Sequence, residues 1–146
     1  MKVLVGLTLT FFCFNSFAKS FSVIEKLTSY LPVGFYEGRN DHSEFCSVQL
    51  SEVNFPKKDI QVRVMTLNAD LTKLVEENSD AGFKDYKREF VQTNKSIISS
   101  DDNQYVERIL KTMTAGSKKQ YVVVSWSVVN NNERQTEEAS CIVDLP

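Results

Sequence analysis

The chain is expected to fold as a mostly β domain: an antiparallel meander barrel of about eight strands behind a short N-terminal helix, with a two-sheet β-sandwich as the alternative. Three observations carry that expectation. Apolar residues alternate with polar ones along Cys46-Val48-Leu50, Ile60-Val62-Val64, Val122-Val124-Trp126-Val128 and Ala139-Cys141-Val143-Leu145, which marks strands with one face on a core and one toward water. Turn-forming clusters separate these runs. An early and a late cysteine both fall on the inward phase of their strands, as they would if the sheet closed on itself.

The first residues set the compartment. Met1-Lys2 is a short basic start, Val3 to Phe14 a nearly unbroken apolar run, and Ser16 and Ala18 are the small residues that a signal peptidase reads. Residues 1–18 are therefore expected to be a cleaved signal peptide, and residues 19–146 a single β-barrel-like domain, periplasmic or secreted. The apolar run is shorter than the ~20 residues a membrane-spanning helix needs, so no transmembrane segment is expected in the mature chain. Phe11 and Phe12 are too bulky before Cys13 for a lipidation site. Cys46 and Cys141 then remain as an even pair in an oxidising compartment and are expected to form a disulfide. Closing so long a loop contributes about 4 to 5 kcal/mol in the chain-entropy account.

Past the leader, Phe21, Ile24, Leu27 and Leu31 recur at helical spacing. Ser20 or Ser22 can cap that helix, and Pro32 disfavours helix in the residue before it. Such a short helix is marginal alone and must lie against the sheet. Phe55-Pro56-Lys57-Lys58-Asp59, Ala115-Gly116-Ser117-Lys118-Lys119 and Asn130-Asn131-Asn132-Glu133 read as turns. The last strands, Tyr105 to Thr114, Gln120 to Val129 and Arg134 to Leu145, form a meander. In the middle, Leu71 to Glu77 fits strand or helix. Ala81-Gly82 interrupts, and Tyr86 to Thr93 resumes as strand, followed by Lys95 to Ser100.

Charge excludes several partners. The chain has 17 Lys and Arg against 19 Asp and Glu, and losing Lys2 with the leader takes the net charge from −2 to −3. Nucleic-acid binders carry a basic stripe, and anionic membranes attract basic segments; neither pattern is present. His42 is the only histidine. With Asp41 and Glu44 it makes a polar loop too poor in ligands for zinc, and the spacing does not match a calcium loop. No Gly-x-Ser-x-Gly elbow accompanies it. Glu76-Glu77, Asp101-Asp102 and Glu137-Glu138 are adjacent in sequence, so on a strand each pair splits across two faces and reads as surface charge.

Gly34-Phe35-Tyr36-Glu37-Gly38 is the most distinctive local motif. Strand glycines mark a bend or a close approach, so the segment reads as a barrel corner with Tyr36 plugging one end. A short helix followed by Gly-x-aromatic on the first strand resembles the opening motif of lipocalins, which usually has Trp where Tyr36 stands. Asp102 and Tyr105 resemble a second lipocalin motif, and Arg134 stands where the third, an arginine packing on the first-strand aromatic, would fall. The chain is shorter than most lipocalins, lacks the first-strand Trp and shows no C-terminal helix. The resemblance implies an eight-stranded barrel holding a small apolar ligand.

Without a catalytic set, the domain is expected to be a binding module and not an enzyme. It would take a small apolar ligand or a partner protein, use no cofactor, and have Tyr36, Phe45, Tyr105 and Trp126 as possible barrel-mouth residues. The alternative is a structural or envelope-associated interaction protein with a packed barrel and no ligand.

Overall fold

A computed structural model describes residues 22–54, 58–77, 84–99 and 103–146. The expected leader and Asp102 lie outside the described residues. One helix, α1 (Val23–Tyr30), precedes strands β1 (Gly34–Arg39), β2 (Phe45–Val53), β3 (Asp59–Met65), β4 (Asp70–Glu76), β5 (Lys84–Tyr86), β6 (Glu89–Ile97), β7 (Gln104–Gly116), β8 (Lys119–Asn130) and β9 (Glu133–Asp144). They form one antiparallel sheet in the order β4-β3-β2-β1-β9-β8-β7-β6-β5. The first and last strands pair, at Gly38↔Val143 and Arg39↔Ile142, so the break in the ring falls between β4 and β5. The sheet curls into a half-barrel that brings β4 against β7 and β8, in place of two stacked sheets.

The helix bridges that break at one end. Ser22 caps it in a capping box with Glu25, and the Leu31 N–H donates to the Leu27 carbonyl just before Pro32. Ile24, Leu27 and Leu31 are buried, and α1 touches β4 on one side of the break and β6 and β7 on the other. The Tyr30 hydroxyl bonds Asp85 Oδ1 at 3.0 Å and donates toward the Tyr86 carbonyl at 2.9 Å. Lys26 pairs with Asp85 at 2.7 Å. Leu27, Leu31, Phe90 and Leu110, all fully buried, fill the interior beside Val48, Leu50, Ile60 and Val62.

Two segments sharpen or change the sequence reading. Leu71 to Glu77 is strand, with Leu71, Lys73 and Val75 alternating inward. Tyr86 to Thr93 is not one strand: a turn at Lys87-Arg88 separates β5 from β6, which runs on through Lys95 to Ile97. Lys84 to Glu89 is almost wholly charged, so no apolar alternation marks that hairpin.

Cys46 and Cys141 are disulfide-bonded, with Cα atoms 5.8 Å apart. They lie on β2 and β9, the two strands that flank β1, and Cys46 pairs directly with Gly38 between them. A Cβ at Gly38 would stand 1.9 Å from the Ile142 carbonyl oxygen and 3.2 Å from Cys141 Sγ. Gly38 is thus the glycine that the close approach demands. Gly34 would meet only the Tyr36 ring, at 3.4 Å or more.

Candidate binding surface at the open end

The end of the barrel away from α1 is uncovered. There β6 to β9 outrun the shorter strands, and the faces that carry core residues further down lose their cover. In β9, Val143, Cys141 and Ala139 are buried, whereas Glu137, Gln135 and Glu133 on the same phase are exposed. Two loops flank this projecting sheet. In the β1–β2 loop, Asn40 Oδ1 accepts the N–H groups of His42 (3.0 Å) and Glu44 (2.9 Å), and its Nδ2 donates to Glu44 Oε2 at 2.9 Å. Ser43 takes the left-handed conformation that the tight turn needs, with φ 62°. In the β3–β4 loop, Thr66 Oγ1 accepts from Ala69 N–H at 3.0 Å.

Between the loops and β9 lies a cleft of about 580 Å³ bordered by Asp41, His42, Glu44, Asp70, Glu137 and Glu138. Arg63 holds Asp70 through two bonds of 2.8 and 2.6 Å, and that contact lowers the Asp70 carboxyl below its ordinary range. Among the described residues, Asp41, Glu137 and Glu138 carry no ion pair. No group of three or more His, Cys, Asp and Glu among the described residues is placed to hold a metal.

Beside the cleft runs one cross-strand row, Asn94↔Arg108↔Trp126↔Glu137. Registered partners in an antiparallel sheet share a face, so this row continues the inner face. The Arg108 guanidinium lies over the Trp126 ring, 4.9 Å from a centroid. Facing the row across the break in the sheet is Lys73 of β4, only 1% exposed. Its ammonium donates to Gln92 Oε1 at 2.8 Å, to the Leu74 carbonyl at 3.2 Å and to Asn94 Oδ1. This side chain ties β4 to β6, two strands with no backbone pairing between them. Burial pushes the Lys73 pKa down from 10.5 to about 8; Glu76 pulls it up and Arg108 adds to the depression.

The four aromatic residues expected at the mouth do not converge. Tyr36 is buried near α1 and gives its hydroxyl to the Pro32 carbonyl at 2.7 Å. Phe45 is exposed on the outer phase of β2. Tyr105 lies on the opposite face of the projecting sheet, with Lys95 over its ring at 3.7 Å. Only Trp126 belongs to the inner row. Arg134 does not pack on Tyr36: it bonds Glu107 at 3.2 Å near the β8–β9 turn, far along the sheet from the helix end.

Sequence reading passed over Lys73, Gln92, Asn94 and Arg108. A signal was present, since each is a polar residue on the same alternating phase as a buried apolar one: Leu71-Lys73-Val75, Phe90-Gln92-Asn94 and Arg108-Leu110. Glu137 and Glu138, read as plain surface charge, border the cleft together. No protein-family model, curated protein or solved structure matches the chain.

Proposed function

We propose that the chain is an exported binding module, not an enzyme, that receives a basic segment of a partner protein in the cleft at its open end. The observation that carries this reading is the concentration of carboxylates, Asp41, Glu44, Asp70, Glu137 and Glu138, around one cleft of about 580 Å³. Complementary charge steers association and fixes register. The filled interior, closed from below by Leu27 and Leu31, favours a partner protein over the small apolar guest of a lipocalin-like barrel. The Cys46–Cys141 bridge supports an oxidising, extracytoplasmic setting.

The test uses the disulfide-bonded domain immobilised against oligo-lysine and oligo-glutamate peptides of equal length. Saturable, salt-sensitive binding of the lysine peptide alone is expected, with loss in the Glu137→Gln, Glu138→Gln double variant. Equal response to both peptides, or none to oligo-lysine, would remove the reading.

A further inference from the structure

Where β4 meets β6 and β7 the inner face holds more hydrogen-bond donors than acceptors, and from that imbalance we infer a binding site for a small oxyanion of the carboxylate or phosphate type. The site is built from Gln92, Arg108 and Trp126 around Lys73, and it adjoins the carboxylate cleft, whose Glu137 is the cross-strand partner of Trp126.

The three N–H bonds of Lys73 are spent on Leu74, Gln92 and Asn94. Because the Gln92 oxygen faces Lys73, its amide nitrogen must point elsewhere. Flipping the amide would not satisfy that nitrogen, because it would set N–H against the ammonium and take an acceptor from Lys73. Gln92 is 0% exposed, and its Nε2 has no acceptor among the protein groups. The Trp126 indole Nε1 is likewise buried without one. Such atoms are rare in folded proteins and call for an explanation.

The charges add to the imbalance. Arg108 makes no hydrogen bond or ion pair among the described residues, only its stacking on Trp126. Lys73 is hydrogen-bonded to amides and a carbonyl, with no carboxylate within bonding distance among the described residues, and Glu76 acts on it only at longer range. Arg108 acts electrostatically on Lys73 and is the direct cross-strand partner of Asn94, so the groups form one contiguous cluster. An oxyanion offers several lone pairs to N–H donors and matches the guanidinium fork. Half-buried Asn94 and Arg108 mark the side from which it enters.

Trp126 is the single tryptophan, so its indole N–H gives one resonance in a proton–nitrogen spectrum. The oxidised chain is titrated with sodium acetate and, in a second arm, sodium phosphate, with sodium chloride at matched ionic strength as control. A saturable shift of the indole N–H and the Gln92 amide with acetate, with phosphate or with both is expected; the arms separate a carboxylate site from a general oxyanion site. A linear drift common to all three salts, reporting bulk ionic strength only, overturns the proposal. Gln92→Glu supplies a carboxylate to Lys73 from within and is expected to abolish the response. Arg108→Met keeps the cover on Trp126 and is expected to weaken the anion by about tenfold. Unchanged affinity in both variants would also overturn it.

Discussion

The two ends of the barrel use the same strands for opposite purposes. Near α1, the inner phase of β8 carries Val122 and Val124, both fully buried; further along the same face stand half-buried Trp126 and then Val128, 46% exposed. β7 passes likewise from buried Thr112 and Leu110 to half-buried Arg108 and Val106. Burial follows coverage: where α1 and the opposing strands close over the face its residues are buried, and where they stop it becomes half-buried or exposed and admits charge, as at Arg108 and Glu137. The closed end is therefore where stability resides, and the open end is free to vary in chemistry at little cost to the fold.

That division can be broken first at the bridge. Cys141→Ser is expected to cost about 4 to 5 kcal/mol, read from urea unfolding against the oxidised parent. A loss below about 1 kcal/mol would mean that the β1–β9 closure holds without it. Leu27→Ala removes a fully buried side chain from the helix that bridges the sheet, at an expected cost of about 4 kcal/mol. Equal protection from hydrogen exchange at both ends after that change would contradict the picture.

Lys73 tests the boundary between the two ends through pH. Its pKa is lower folded, about 8, than its ordinary 10.5. Below the folded value both states hold the proton, and the native state bears the full cost of the buried charge. Between the two values the native state releases the proton while the unfolded chain keeps it, so stability rises with pH, by up to about 3 kcal/mol. Unfolding midpoints across that window should rise in the parent and stay flat in Lys73→Met. The smallest contrast lies on one face of one strand: Val124→Ala should cost about 2 kcal/mol and Val128→Ala about 0.5 kcal/mol or less. Similar costs at the two sites would erase the distinction.

Much of the closed end was legible in the sequence, because local rules decide it. The serine cap, the Ile24-Leu27-Leu31 spacing and Pro32 delimit the helix, and the inward phase of Cys46 and Cys141 announces their union. The open end was legible only in part. Period-two alternation assigns a residue to a face but not whether anything covers that face, so Val128 reads as core although it is exposed. Coverage depends on strand length across the sheet: β9 has 12 residues and its neighbour β1 has 6. The seam escaped for a related reason. Lys73 and Gln92 are separated by 19 residues and meet only because the sheet curls.

The span of the disulfide has a consequence for how the molecule comes into being. Its two sulfurs are 95 positions apart, and ribosomes deliver chains from the amino end. The Cys46 thiol therefore waits, reduced and without its mate, while most of the domain is still being made. Over that interval it is open to exchange with stray disulfides, which leaves it in a mixed disulfide and releases a thiol, and oxidative folding catalysts that shield it should raise the yield of native protein.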